Sequence, residues 1–205
     1  MNMRNLSRKS IGIFYLLCIG VNASVSAQLY DKDLNVDENK LRIEFEPGLF
    51  FNNGRSLNAM YNFTDNTNFT AGIYLMASDV PEEFHSNMFD NVVESTHIRA
   101  SVEYAFTFRY RFNLAKNLES DPYLGLILGW EELNLATPGM DNLRYTTFLV
   151  TPHIGYEFYL YKKMLYLNTQ IRSVFYVGAK KSDESRPETI RSYWILPSIG
   201  IGLRI

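Results

Sequence analysis

The chain has 205 residues, 20 cationic and 22 acidic side chains, a formal net charge of −2 and a single cysteine. The length suits one domain, and the absence of a clustered basic face argues against a nucleic-acid partner. Fourteen Tyr and fourteen Phe make the chain rich in aromatics without any long apolar block after its first residues.

The N-terminus carries Arg4, Arg8 and Lys9, then the apolar run "IGIFYLLCIGV", then "NASVSA" before Gln28. This three-part order is that of a secretory signal peptide, with cleavage after Ala27. The apolar run is shorter than the roughly 20 residues of a membrane-spanning helix. Cys18 lies inside it, and a lipoprotein beginning at that cysteine is the competing reading, with Leu17 in place of the small residue such a site wants. Without Cys18 the mature chain can form neither a disulfide nor a thiolate metal site. Residues 28–40 read as a short N-terminal segment and 41–205 as the folded domain.

From Leu41 onward the period is two. The expected strands are Leu41 to Phe51, Leu57 to Thr64, Phe69 to Ala77, the run "HIRASVEYAFTFRYRF", Pro122 to Glu131, "TTFLVTPHIGYEFYL", Leu165 to Val177 and "SYWILPSIGIGLRI". In "TTFLVTPHIGYEFYL", Phe148, Val150, Pro152, Ile154, Tyr156, Phe158 and Leu160 share one parity and His153 and Glu157 the other. Alternation of this kind is a strand signal. Pro152, which cannot donate to a ladder, is expected to mark a bulge. No segment shows the period of a capped amphipathic helix. "NNGR" reads as a tight turn, whereas Asp79 to Thr96, Glu132 to Arg144 and Ala179 to Arg191 are long connections.

The polar parity is expected to collect Arg42, Glu44, Glu46, Arg99, Glu103, Arg109, Arg111, Glu131, His153, Glu157, Arg172 and Arg204. Apart from the histidine, every cation in that set is arginine, which pairs bidentately with carboxylates and stays charged when buried. The apolar parity gathers aromatics near strand ends, the pattern of membrane girdles. Together these predict an all-β fold, an eight-stranded antiparallel transmembrane barrel whose lumen is filled by ion pairs. Eight strands leave an interior just wide enough for side chains, so a general pore is not expected.

These strands, with the signal peptide and the terminal "SIGIGLRI", resemble the small outer-membrane barrels of the OmpA/OmpX type, including those of Bacteroidetes-like species. Ser198, Gly200, Leu203 and Ile205 are similar in spacing to the terminal signal read by the barrel-assembly machinery, although Ile205 stands where an aromatic is commoner. The resemblance implies residence in the outer membrane of a Gram-negative bacterium, with both termini toward the periplasm. It also implies outer-membrane lipid and lipopolysaccharide as surroundings, and the assembly machinery as a partner during biogenesis.

His153 and Glu157, four apart on a strand, would stand about 13 Å apart and cannot share a metal. Each is expected to join an arginine from a neighbouring strand. Lipid A deacylase barrels carry His-x-Ser on one strand; here the histidines read "HSN" at His85, "HIR" at His97 and "HIG" at His153. No catalytic residue, cofactor or metal is therefore assigned, and a non-enzymatic envelope or surface role is expected. The alternatives are a lipid A-modifying barrel enzyme, built for instance on His85 and Ser86, and a secreted soluble barrel binding an apolar ligand. The acidic connection with Asp79, Glu82, Glu83, Asp90 and Glu94 is read as solvated, with a weak divalent-cation site as the sharper alternative.

Overall fold

A computed structural model describes residues 40–63, 68–112, 120–161 and 164–205. The expected signal peptide, Cys18 and nearly all of the 28–40 segment lie outside these residues. Eight strands close a single antiparallel barrel: β1 (Leu41–Phe45), β2 (Arg55–Asn62), β3 (Phe69–Asp79), β5 (His97–Arg111), β6 (Ser120–Ala136), β7 (Leu143–Tyr161), β8 (Leu165–Lys181) and β10 (Tyr193–Arg204). Each pairs with its sequence neighbours in the barrel, and β1 closes on β10. Two short strands, β4 (Phe89–Asp90) and β9 (Thr189–Ile190), pair with each other outside the barrel wall.

The outward face shows where an apolar solvent would lie. Tyr104, Trp130 and Phe148 are consecutive cross-strand partners, and Phe175 and Tyr193 pack at 4.8 Å on the adjoining strands. Toward the end that carries the termini, Tyr110 packs on Phe112 and Tyr156 on Phe158. Between the two aromatic rows the outward positions include Phe106, Leu124, Ile154, Ile171 and Ile195, all exposed. On β7 this run, Phe148 to Phe158, has the length of a tilted membrane-crossing strand, roughly 9 to 11 residues. Beyond the first row the outward face turns polar, with Arg99 paired to Asp79 and Arg144 paired to Glu132.

Four features differ from the sequence expectation, each for a local reason. The first strand stops at Phe45 and a 3-10 helix follows over Pro47–Asn52. Leu41 and Ile205 exchange backbone hydrogen bonds, so in the β1–β10 register the odd residues of both strands face the seam. Pro47 falls at the next such position and has no N–H to give, and Pro197 removes a second donor from the same row on β10. The outer half of the seam is covered by the 3-10 helix instead, which packs on β10, β2 and β3 and leaves Phe50 61% and Phe51 89% exposed. The chain then turns at Asn53, in the left-handed region at φ 48°, so "NNGR" is a turn that follows a helix.

Pro152 marks no bulge: it pairs in register with Leu126 of β6. The bulges fall elsewhere, one of them at Glu103, which β5 inserts between Val102 and Tyr104, the partners of the consecutive β6 residues Glu131 and Trp130. Finally, β5 through β8 run well past the outer aromatic row, and the connection after β3 contains a short helix, α1 (Glu82–Met88), absent from the sequence expectation. With its seven residues it is too short to show a period.

The core is therefore two-part. Beneath the outer rim Ile98, Ala100, Val102, Leu133, Leu135, Leu143, Tyr145, Leu149, Val174 and Tyr176 form a buried apolar cluster inside the barrel, completed by Met88 and Phe89 from α1 and β4. Near the terminal rim the interior is ionic.

Candidate functional site

The lower interior is organised around two carboxylates. Glu44 accepts two hydrogen bonds from Arg109, at 2.5 and 2.6 Å, one from the Tyr166 hydroxyl at 2.7 Å, and longer ones from Asn58 and Asn168. Glu157 accepts from Arg42 at 2.7 Å and from Arg204 at 3.3 Å. Arg109 and Arg111 approach Glu157 to 3.5 and 3.6 Å. All six charged side chains are almost wholly shielded from solvent. Isolated charges cannot persist in such an interior, so each is held by opposite charge and by hydrogen bonds.

Four arginines around two glutamates leave cationic excess among these described residues, and tyrosine faces take part of it. The guanidinium carbon of Arg109 lies 4.6 Å from the Tyr123 ring centre, that of Arg204 4.4 Å from Tyr159, and that of Arg42 5.7 Å from Tyr166. Such stacking attracts a cation to the ring's negative face. One layer higher, Arg172 donates to Glu46 at 2.5 Å and to the Tyr74 hydroxyl at 3.0 Å. Higher still, Glu131 sits among the apolar residues with Tyr176 as its hydrogen-bond partner, and Trp194 donates to the same hydroxyl.

Glycines make room for this packing. A methyl group at position 155 would stand 2.3 Å from the Tyr123 ring, one at 202 would stand 2.2 Å from Tyr166, and one at 125 would meet His153 at 2.1 Å. Each glycine lies on the strand next to the ring it admits.

Of the twelve residues placed on the polar parity, Arg42, Glu44, Glu46, Arg109, Arg111, Glu131, His153, Glu157, Arg172 and Arg204 lie buried inside the barrel. Arg99 and Glu103 do not. The bulge at Glu103 puts that residue and Tyr104 consecutively on the outside, so above it Ile98, Ala100 and Val102 turn inward. Arg99 then pairs on the outer surface with Asp79. His153 also departs from expectation: its Nδ1 lies 3.2 Å from the Thr151 carbonyl and its ring packs edge-on against Tyr123. Among the described residues no hydrogen bond joins it to an arginine, although Arg109 stacks on the same Tyr123 ring.

The outer end is closed by the three long connections. Arg191 donates its backbone N–H to Met88 and Phe89 packs on Tyr145, whose hydroxyl donates to the Glu188 carbonyl. Arg186 forks onto both oxygens of Glu188 and donates to the Asp141 carbonyl, while Thr96 and Thr137 share a hydrogen bond. The sequence held no signal for β4 and β9, two-residue strands that exist only because the connections meet. Asp79 and Asp90 of the acidic connection are engaged by Arg99 and Arg191, and no group of metal-ligating side chains occurs among the described residues. His85 hydrogen-bonds the Val80 carbonyl at 2.9 Å.

Arg186 holds the Glu188 carboxyl below the usual carboxylate range, with a smaller opposing push from burial. A lowered folded value means stability that is fully present above the unfolded value, about 4.3, and that is lost as pH falls through the folded one. The amide-exchange protection of Phe89 and Ile190 is accordingly expected to drop on acidification below about pH 4. Glu188→Gln should remove that dependence; a protection factor equally pH-sensitive in the variant refutes the assignment.

A closed eight-stranded antiparallel barrel with an aromatic-bordered apolar exterior and a charged, packed interior is the architecture of the small outer-membrane barrels. Among solved structures, the chain is similar to neisserial surface protein A, at 12% identity over 81% of this chain and 94% of that one, TM-score 0.52. It is also similar to a major outer membrane protein from Thermus thermophilus, at 11% identity over 81% and 99%, TM-score 0.50. No protein-family model matches the chain, and no curated protein does. The fold is thus that of a small outer-membrane β-barrel.

Proposed function

We propose that this protein resides in the outer membrane of a Gram-negative bacterium as a non-enzymatic barrel with a sealed lumen, serving the envelope structurally or as a surface protein. The observation that carries the reading is the double closure: an ion network fills the terminal half and an apolar cluster beneath interlocked connections fills the outer half. On this reading the termini face the periplasm, lipopolysaccharide surrounds the outer half, and the assembly machinery inserts the chain.

The apolar exterior between two aromatic rows supports a membrane barrel over a soluble one, since a soluble barrel would hide that face. The engagement of His85 with a backbone carbonyl supports a structural role for that histidine over a base for Ser86. Purified protein reconstituted in planar bilayers is expected to show no steady conductance, and lipid A from cells carrying His85→Ala is expected to match the parent strain by mass spectrometry. Stable single-channel openings would refute the sealed lumen. A lipid A change reproduced by both the variant and a deletion would establish the enzyme instead.

A further inference from the structure

The exterior of the wall is not uniformly convex. A groove of about 590 Å³, almost entirely apolar, crosses four strands from β6 to β10 in the terminal half of the barrel. Its origin lies in the register. Pro122, Tyr156, Thr169 and Ile199 form one outward cross-strand row, and Leu124, Ile154, Ile171 and Pro197 form the next. Between them the row Tyr123–Gly155–Gln170–Ser198 directs its side chains inward or has none, so backbone makes the floor. Thr169 is short where its row-mates Tyr156 and Ile199 are long, and this lowers one wall at mid-groove.

Its depth decides what can fill it. Phe112 and Phe158 of the terminal aromatic row border the groove on one side, while the outer row of Trp130 and Phe148 lies well above it. The groove therefore opens into the hydrocarbon of the leaflet on the terminal side. At about 4.8 Å between strands, four strands give a length of about 14 Å, and the volume falls in the range of small-molecule pockets, about 300–1,000 Å³.

We propose that this groove is a binding site for one acyl chain of a phospholipid from the periplasmic leaflet, held there longer than the lipids around it. The proposal rests on the membrane reading above. A hydrocarbon chain matches an apolar cleft with no charged lining residue, whereas a second barrel, meeting this one wall against wall, would bridge the cleft and leave it unfilled. With the termini in the periplasm, the leaflet at that depth is the phospholipid one.

The test is native mass spectrometry of full-length protein extracted from membranes in mild detergent, with heat-modifiable gel migration reporting that each variant is a folded membrane barrel. One phospholipid is expected to survive detergent removal on the wild type. Thr169→Trp, which fills the low wall, should abolish that adduct, and Ile171→Ala, which opens the rim, should weaken it. Ile73→Trp, on the opposite wall, should leave it intact. No adduct on the wild type, an adduct insensitive to Thr169→Trp and Ile171→Ala, a retained lipopolysaccharide, or a dimer broken by Thr169→Trp would each overturn the site. Loss of membrane extraction or heat modifiability in the wild type would instead overturn the membrane reading on which it stands.

Discussion

Glu157→Gln is expected to cost the barrel about 3–5 kcal/mol, the usual consequence of removing one partner from a buried charge cluster. Glu157 is fully buried, with Arg42 at 2.7 Å and Arg204, Arg109 and Arg111 between 3.3 and 3.6 Å. The amide preserves shape and one acceptor oxygen but removes the charge that Arg42, Arg204 and Arg111 face, while Arg109 keeps its pairing with Glu44. None can escape by deprotonation, because arginine stays charged. Urea titration in detergent or lipid vesicles, read by heat-modifiable migration, measures the loss. Arg42→Met in the same chain should recover part of it, since it removes the charge most directly orphaned, and the difference between the double variant and the two single ones gives the coupling. A Glu157→Gln barrel as stable as the wild type would show that the ion network is not what secures the lower interior.

Gly202→Ala is the second large effect, expected to cost about 1–3 kcal/mol through overpacking. The added methyl would stand 2.2 Å from the Tyr166 ring, and that ring has little freedom to retreat. Its hydroxyl donates to Glu44 at 2.7 Å and its face lies beside Arg42. Displacing Tyr166 therefore disturbs both carboxylate centres at once. Gly200→Ala, two residues away on the same inward face, provides the contrast: there the nearest atom to the new methyl is the Phe45 carbonyl at 3.4 Å. Equal midpoints for the two variants in the urea titration would refute the specific fit of ring to glycine.

Much of this fold is written in the period of the chain. Phe148 to Phe158 alternating with Thr151, His153 and Glu157 requires a strand with one apolar face, and the preference for arginine on the polar parity identifies that parity as interior. The same reading places ten of the twelve charged or ionisable residues on the side where they lie. It goes wrong at Arg99 and Glu103 because periodicity carries no mark of an inserted residue. A bulge shifts parity by one while leaving the alternation of letters undisturbed. It overextends the first strand because Pro47 is a breaker only at a donor position, and whether position 47 is one depends on the partner strand.

What the sequence determines by itself is local or compositional: strand number, which parity is apolar, the absence of a long apolar helix in the folded part, and the supply of arginine, glutamate and tyrosine to the interior. Which arginine meets which carboxylate is decided only by closure. Arg42 reaches Glu157 and Tyr166 reaches Glu44 across more than a hundred residues of chain, through the register of the completed barrel. The lid strands, the glycine beneath each ring and the lipid-facing groove are likewise products of neighbouring strands brought side by side. The physical reason is that a strand's own residues fix its faces, whereas contacts between strands depend on register, bulges and closure, which belong to the sheet as a whole.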